Sequence, residues 1–348
     1  MLSIGAHQVG VSAPPFIIAE LSGNHDGSLA KALAIVEAIA ASGAHALKLQ
    51  TYTADTMTLD IAEREFVIED PKSLWRGRTL YSLYHEAHTP WEWHEPLFRR
   101  ARELGLQAFS TPFDASAVDF LESLGVPAYK IASFENCDLD LIRRVARTNK
   151  PMIISTGLAT LAEIDEAVVT ARAAGCRELA LLKCTSNYPA DPASSNLRTL
   201  PYLREAFACE VGLSDHTLGI AVATASVAAG ATLIEKHVTL NRAGGGVDAA
   251  FSLEPPELAQ LVQATHTAWQ ALGGVQIAPT EEEQPSLLFR RSLYVCQDLA
   301  PGDVLTADNL RAIRPGRGLP PKHRATLLGK RVNRAVARGT PMSWELVG

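Results

Sequence analysis

Short apolar runs alternate along this chain with longer stretches in which apolar residues recur at helical spacing. The short runs lie at residues 16–20, 44–50, 106–112, 128–133, 151–156, 179–186, 210–215 and 233–239. Strands that alternate with helices predict βα units around a parallel sheet. Eight such units in succession predict a closed (β/α)8 barrel, so the predicted fold class is α/β with a TIM barrel.

Capping signals support the helices between these runs. Ser28 precedes the stretch SLAKALAIVEAIAASG, which ends at Gly43. Thr160 opens TLAEIDEAVVTARAAG with Glu163 three positions later, and this stretch ends at Gly175. A hydroxyl before the first turn and a glycine after the last one predict a helix in each stretch.

Two segments interrupt the alternation. Residues 51–90, which we call the excursion, form a connection much longer than is usual in a compact domain, and we interpret them as a substrate-side segment or lid. After Gly274 a polar, proline-containing linker is predicted at 276–289. Closely spaced short strands over 290–348 predict a small β-clip or compact all-β domain after a barrel over 1–275. A domain of that size is marginal alone, so we expect it to dock on another chain.

Composition narrows the classes of partner. The 348 residues carry a formal net charge of −6 without a basic cluster, so no nucleic-acid partner is expected. There is neither a signal-like N-terminal stretch nor a long uninterrupted apolar run, so no membrane partner is expected. The five cysteines are odd in number and contain no CxxC pair, which favours a reducing cytoplasm over a disulfide framework.

Polar residues collect at the C-terminal end of each predicted strand. They are Glu20, Lys48 with Gln50, Ser110 with Thr111, Lys130 with Ser133, Ser155, Lys183 with Ser186, Ser214 to His216, and Glu235 to His237. Taken singly, each has an ordinary structural explanation, such as a helix cap or a solvated lysine. In a parallel barrel these ends meet at one mouth, where barrel enzymes place their chemistry, so together they predict an active site.

Two histidines in this set predict a metal site. His216 and His237 follow the seventh and eighth strands, so their imidazoles can face one cation from neighbouring walls. Two ligands do not fill a coordination shell, which disfavours structural zinc and predicts Mn²⁺, with Mg²⁺ or Co²⁺ as alternatives, completed by water and substrate oxygens. Glu20 and Asp248 are the carboxylates placed to orient or join this site.

Lysines and hydroxyls in the same set predict an anion site. Lys48 and Lys130 supply positive charge. Thr111, Ser133, Ser155 and Ser214 add short donors suited to phosphate and carboxylate. The glycine-rich loop 242–248 can bring backbone N–H groups close to a ligand. A small anion with several charges is therefore expected beside the metal.

Collinear motifs resemble those of the sialic acid synthase family over almost the whole chain. They are FIIAELSGNHDGS, ALKLQTYTADTMTLD, FSTPFD, AYKIASFE, IISTGLA, LLKCTSNYPA, VGLSDHTLG, IEKHVTL, GGGVDAAFSLEP and IRPGRGLPP. The first motif and the long excursion are most similar to the pseudaminate-forming branch of that family. The first motif departs from the AEIGxNH of other branches but keeps Glu20, Asn24 and His25.

The resemblance implies a transferase that condenses phosphoenolpyruvate with an N-acetylated amino sugar. The implied acceptor is the open-chain aldehyde of 2,4-diacetamido-2,4,6-trideoxy-L-altrose, and phosphate leaves by C–O cleavage. Glu20 would orient sugar hydroxyls or relay a proton, and the wall would be completed by Gln50, Glu135, Asn187 and Tyr188. The resemblance also implies a domain-swapped homodimer with an antifreeze-like C-terminal domain, in which Arg314 contacts the sugar bound by the partner.

Several alternatives remain open from the sequence. The same chemistry could act on N-acetylmannosamine or the legionaminate precursor, the barrel could be a scaffold without chemistry, or a Schiff-base aldolase could use Lys130, Lys183 or Lys236. Trp75, Tyr81 and Tyr84 of the excursion, with Trp91 and Trp93 directly after it, could line a sugar pocket or pack the excursion onto the barrel. Ser214 or Asp215 could cap a helix near Leu218, so the role of Asp215 is open, as is that of Cys184.

Overall fold

A computed structural model describes residues 2–348 and divides the chain into two compact units between Gly273 and Gly274. The sequence placed the end of the barrel at residue 275 and a linker at 276–289. In the structure these linker residues belong to the second unit, and Gln284–Phe289 form a 3-10 helix. The amide of Gly316 donates to the carbonyl of Leu288 at 2.7 Å, which ties this helix to the rest of the unit.

Eight parallel strands of the first unit close into a barrel, which confirms the predicted fold class. The strands are β3 (Phe16–Glu20), β4 (Ala46–Thr51), β5 (Gln107–Pro112), β6 (Tyr129–Ile131), β7 (Met152–Ser155), β8 (Leu179–Cys184), β9 (Glu210–Ser214) and β10 (Leu233–His237). The barrel closes where β10 pairs with β3, with His237 opposite Glu20. On the next strand Lys48 lies opposite Glu20, so three charged or titratable groups meet at one end of three strands.

Helices follow the strands around the barrel. They are α1 (Leu29–Ala41), α4 (Trp91–Glu103), α5 (Ala115–Ser123), α6 (Leu139–Ala146), α7 (Leu161–Ala173), α8 (Thr199–Phe207), α9 (Ala221–Ala228) and α10 (Pro255–Leu272). Ser28 caps α1, and Thr160 forms a reciprocal capping box with Glu163 at the start of α7, as predicted. Apolar strand residues such as Ile17, Ile18 and Ile153 are fully buried in the core that the strands and helices share.

A short hairpin closes the barrel at the N-terminal ends of the strands. The hairpin strands β1 (Leu2–Ile4) and β2 (His7–Val9) pair antiparallel. The Ser3 amide donates to Oε2 of Glu178, the residue before β8, at 2.6 Å. Leu2 and Ile4 are buried in the barrel core. The sequence did not predict this hairpin, because three-residue strands are too short to leave a periodic pattern.

The excursion contains two short helices, α2 (Ala54–Met57) and α3 (Leu80–Ala87), with a 3-10 turn at Arg64–Phe66. The second unit pairs β11 (Ser292–Val295) with β12 (Leu310–Ile313) in antiparallel register. It has one short helix, α11 (Arg324–Leu327), and a core of its own. Among residues 2–348, no helix combines the length and apolarity that crossing a membrane requires.

His94 on α4 is expected to make folding sensitive to acid. Its ring is fully buried, with Nε2 2.8 Å from Thr51 Oγ1 and Nδ1 3.2 Å from the Pro90 carbonyl. Burial lowers the pKa of His94 to about 4, from 6.5. The folded state therefore keeps this imidazole neutral, whereas the unfolded state binds a proton as pH falls below 6.5. We expect about 3 kcal/mol of stability to be lost between pH 6.5 and 4 through this group.

Urea unfolding followed by circular dichroism between pH 7.5 and 4.5 tests this expectation. The His94→Gln variant should be less stable at neutral pH but should lose less free energy of unfolding on acidification than the unsubstituted protein. The matched control is His85→Gln, since His85 is exposed on α3. An unchanged slope of stability against pH in His94→Gln would contradict the assignment.

Candidate active site

A cavity of about 320 Å³ opens at the C-terminal ends of the barrel strands. Twelve of the residues that the sequence nominated line it together: Glu20, Lys48, Gln50, Lys130, Ser133, Glu135, Ser155, Tyr188, Ser214, His216, His237 and Asp248. The sequence expected these side chains to meet because parallel strands end at the same mouth. Seven strands and the loops that follow them contribute residues to the lining of this cavity.

Three nominated residues do not line the cavity. Thr111 is buried behind it, and its hydroxyl accepts a hydrogen bond from Lys48 Nζ at 3.3 Å, so it supports the lysine. Asn187 is exposed and lies next to Tyr188 without facing the cavity. Arg314 belongs to the second unit, where its side chain is exposed.

The floor of the cavity is a network of four buried charges. Lys48 Nζ lies 2.8 Å from Glu20 Oε1 and 3.5 Å from Glu235 Oε2. Lys130 Nζ lies 3.3 Å from Glu235 Oε1, which also accepts a hydrogen bond from the Ser214 hydroxyl at 3.0 Å. All four charged side chains are at most 3% exposed. Two lysines that face two carboxylates give the floor a net charge close to zero. The lysine ammonium groups can also bind an anion that enters the cavity.

Glu235 was noted from the sequence as a polar strand-end residue but was given no role in the site, although a signal for one exists. Side chains alternate between the two faces of a strand, so Glu235 and His237 on β10 share the inward face while Lys236 points outward. The same period places both Lys48 and Gln50 of β4 in the cavity. Counting back two positions from His237 identifies Glu235 from sequence.

Electrostatic coupling sets the charge states on this floor. Burial alone would raise the pKa of Glu20, but the electrostatic interactions of its carboxylate with the His237 ring and the Lys48 ammonium hold it well below its usual range. Burial would lower the pKa of Lys48, yet Glu20 and Glu235 raise it overall. Burial dominates at Lys130 and lowers the pKa of that ammonium. Glu20 and Lys48 are therefore a permanently charged pair.

The two nominated metal ligands lie side by side on the cavity wall. The ring centroids of His216 and His237 are 5.3 Å apart. His216 Nδ1 lies 3.0 Å from the carbonyl of Thr185, so it is assigned the proton and Nε2 keeps its lone pair. His237 Nε2 lies 3.2 Å from Glu20 Oε2, while the buried Nδ1 has no hydrogen-bond partner and is 3.8 Å from Asp248 Oδ2.

These two imidazoles fit a divalent cation that keeps open positions. Each offers one unprotonated nitrogen, the orphaned His237 Nδ1 lies beside the Asp248 carboxylate, and imidazole and carboxylate suit Mn²⁺ and similar metals. Within residues 2–348 no group of three or more His, Cys, Asp or Glu side chains is arranged to hold a metal ion. A cation at His216 and His237 would need further ligands from water or substrate, so the metal site stays a prediction.

The segment from Ser214 to Thr217 answers the open question about Asp215. Asp215 Oδ1 accepts from the Thr217 amide at 3.0 Å, and Oδ2 accepts from the buried Lys236 Nζ at 3.0 Å. The expectation that Ser214 or Asp215 caps the next helix is wrong, because α9 begins at Ala221 and Ile220 precedes it without a side-chain cap. Asp215 instead closes a tight turn, which holds His216 in place.

Two of the three lysines considered for a Schiff base point away from the cavity. Lys183 Nζ donates to the Cys184 carbonyl at 2.8 Å and to Thr185 Oγ1 at 3.1 Å. Lys236 is bound to Asp215 outside the barrel. Of that set only Lys130 lines the cavity. The neighbouring Cys184 does line it, with Sγ 3.9 Å from His216 Nδ1, a placement that the sequence left open.

The aromatic residues of the excursion and α4 divide into three groups. Trp75 and Tyr84 line the cavity. The Tyr81 hydroxyl donates to Asp55 Oδ1 at 3.2 Å on the exposed side. Two others pack structurally: Trp91 stacks on Phe120 at 4.7 Å and Trp93 meets His25 edge-on at 5.4 Å.

The chain matches known proteins along nearly its full length. Residues 35–277 match the NeuB family and residues 290–347 match the SAF domain. The chain is 42% identical to the pseudaminic acid synthase of Helicobacter pylori over 95% of this chain and 97% of that protein. It is 37% identical to the N,N'-diacetyllegionaminic acid synthase of Legionella pneumophila over 97% of this chain and 95% of that one.

A solved structure agrees with these matches. The N-acetylneuraminic acid synthetase of Leptospira borgpetersenii, in complex with citrate, superposes with a TM-score of 0.73 at 31% identity, covering 82% of this chain and 94% of that chain. The family match covers most of the barrel and the two sequence relatives span both units. This chain therefore belongs to the NeuB family and carries a C-terminal SAF domain.

Proposed function

We propose that the protein is a pseudaminic acid synthase, a transferase that condenses phosphoenolpyruvate with 2,4-diacetamido-2,4,6-trideoxy-L-altrose and releases phosphate. The observation that carries the proposal is the meeting of two buried lysines and two imidazoles in one cavity. The higher identity to a pseudaminic acid synthase than to a legionaminic acid synthase supports the choice of sugar.

Lys48 and Lys130 hold the phosphate and carboxylate of phosphoenolpyruvate. Both ammonium groups are 2% exposed, so their attraction to an anion is little screened by water. The hydroxyls of Ser133, Ser155 and Ser214 line the same cavity and add donors. The Ser155 hydroxyl is buried without a hydrogen-bond partner, which suits a donor that waits for a ligand.

A divalent metal, Mn²⁺ before Mg²⁺ or Co²⁺, would be held by His216 and His237 with Asp248 beside them. When bound, it would supply Lewis-acid polarisation of the sugar's carbonyl oxygen. Tyr188 packs 4.5 Å from the His216 ring and keeps that imidazole in place. The hydroxyl of Ser22 bonds to Asp248 and orients its carboxylate.

Glu20 and Glu135 have different roles because their carboxyl groups differ in protonation state. Carbon 3 of phosphoenolpyruvate attacks the aldehyde carbon, water adds at carbon 2, and the C–O bond to phosphate breaks. Glu20 stays ionised and stabilises positive charge at carbon 2, so it is a poor proton carrier. Burial raises the pKa of Glu135 to about 7, which makes this residue the group that exchanges a proton with the reacting oxygens near neutral pH.

The active assembly is proposed to be a homodimer in which the second unit of one chain covers the cavity of the other. Apolar side chains stand exposed around the mouth, with Phe134 60%, Leu158 70% and Leu218 61% exposed. Leu158 also has a positive φ of 66°, an unusual backbone conformation for a branched residue. Arg314, exposed on the second unit, is the proposed contact from the partner chain to the sugar.

Turnover with three acceptor sugars tests the proposed substrate. Phosphate release is measured with phosphoenolpyruvate and Mn²⁺. The kcat/KM for the proposed acceptor, the trideoxy-L-altrose, should be more than about tenfold above that for N-acetylmannosamine. The legionaminate precursor, 2,4-diacetamido-2,4,6-trideoxy-D-mannose, is the third acceptor and should also be slower. Faster turnover of N-acetylmannosamine or of the legionaminate precursor would replace the pseudaminate assignment with the corresponding alternative.

A further inference from the structure

The cavity has two chemically unlike ends. Its floor is formed by the buried charges of β3, β4, β6 and β10 described above. Its outer wall is largely apolar, with Ser73 as a polar member, and the excursion supplies most of its apolar side chains: Tyr52, Met57, Ile68, Leu80, Leu83 and Tyr84. A substrate that fills both ends must be strongly anionic at one end and weakly polar at the other.

Helix α3 presents this wall because of its sequence period. Leu80, Leu83, Tyr84 and Ala87 are spaced by three, four and seven positions, which places them on one helical face. All four line the cavity, and Leu83 is only 6% exposed. The opposite face carries Ser82, His85 and Glu86, which are all exposed. The apolar face is thus turned to the cavity and the polar face to solvent.

Contacts in the middle and near the C-terminal end of the excursion fix this wall against the barrel. Trp75 donates its indole N–H to the carbonyl of Val247 at 2.9 Å, directly before Asp248. The same ring lies 5.9 Å from that of Tyr188, which packs on His216. Near the C-terminal end, a Cβ added to Gly23 would come within 3.2 Å of Ala87 Cα, so the end of α3 lies directly on the loop after β3.

An apolar wall discriminates between sugars that differ by a hydroxyl. A hydroxyl placed against Leu80, Leu83 and Ile68 would lose its hydrogen bonds to water without gaining a partner. A methyl group in the same place would be stabilised, because its apolar surface leaves water. An apolar pocket typically separates such a pair by about 10–100-fold. The wall therefore favours an acceptor whose far end is a methyl group over one that ends in a hydroxymethyl group.

We propose that the apolar face of the excursion, held in place by Trp75, selects 6-deoxy acceptor sugars over 6-hydroxy sugars. This inference rests on the proposed synthase function and assigns its sugar selectivity to Ile68 and Leu83. Trp75 acts as a positioning residue, because it connects the wall to the loop that carries Asp248.

Polar substitutions of similar size test the wall. Leu83→Asn and Ile68→Thr should each lower the ratio of kcat/KM for the trideoxy sugar to that for N-acetylmannosamine by about tenfold. The KM for phosphoenolpyruvate should stay the same, since the floor is untouched. His85→Asn, on the solvent face of the same helix, is the matched control and should keep the ratio.

The test of Trp75 uses a pair of matched variants. Trp75→Phe removes the bond to Val247 and should raise the KM for the sugar without changing that for phosphoenolpyruvate. Trp269→Phe removes an equivalent bond, from Trp269 Nε1 to the Val11 carbonyl at 3.1 Å, and should change neither KM.

The outcomes separate this inference from the proposed function. If the unsubstituted protein prefers the trideoxy sugar and both wall variants keep that preference, the wall does not select the sugar and this inference fails alone. If the unsubstituted protein prefers N-acetylmannosamine, both proposals fail together. Because Ile68 lies outside any helix, Ile68→Thr still gives a result if Leu83→Asn does not fold.

Discussion

His216→Ala and His237→Ala are each expected to lower turnover on the order of 10³-fold, because the proposed metal would contribute several kcal/mol to the reaction. Both imidazoles line the cavity, so their removal should leave the fold intact. The two ring centroids lie 5.3 Å apart, and loss of either ring removes half of the proposed imidazole ligands. Phosphate release at saturating substrate measures the effect.

Metal content gives a second readout that does not depend on activity. Elemental mass spectrometry of the purified chain should find a divalent metal, which each histidine variant loses. His266→Ala, on α10 away from the cavity, is the control and should keep both metal and turnover. A chelator should abolish turnover, and addition of Mn²⁺, Mg²⁺ and Co²⁺ should restore it in that order. Full turnover and metal content in either variant would overturn the proposed site.

Arg314→Ala is expected to lower turnover by about 10²-fold, since a charged hydrogen bond to the sugar would be lost. If Arg314 acts on the partner's cavity, two inactive chains can complement each other. A heterodimer of an Arg314→Ala chain and a His216→Ala chain would have one intact site, made of His216 from the first chain and Arg314 from the second. Such heterodimers should show about half of the unsubstituted activity.

A second heterodimer makes the complementation decisive. When an unsubstituted chain pairs with a chain carrying both substitutions, a swapped arrangement leaves neither site complete, so activity should be close to background. If Arg314 acts within its own chain, this heterodimer keeps half of the activity and the first one is inactive. The two heterodimers, isolated with different affinity tags after co-expression, therefore distinguish the arrangements by opposite results. Sedimentation of the unsubstituted chain as a monomer would reject the dimer directly.

The barrel and most of its site could be predicted because the relevant signals are local. Each strand is an apolar run that ends in polar residues, and in parallel strands these ends share one mouth. This reasoning brought Lys48, Lys130, His216 and His237 into one cavity before any contact was known. It could not tell which polar residue of a run faces the cavity. For this reason the sequence analysis considered Lys183 as a catalytic residue and gave Glu235 no role, whereas only Glu235 lines the cavity.

The closed barrel, the small second unit and the mouth at which the chemistry lies follow from the amino-acid sequence, since periodicity and strand direction are properties of short segments. The contact of Glu235 with both lysines does not follow from it, because that contact depends on the register of three strands. The pairing of Asp215 with Lys236 likewise joins two strands. The apolar wall was also decided by the tertiary structure, because the irregular path of the excursion, which turns Ile68 and Leu83 to the cavity, has no single period to reveal it.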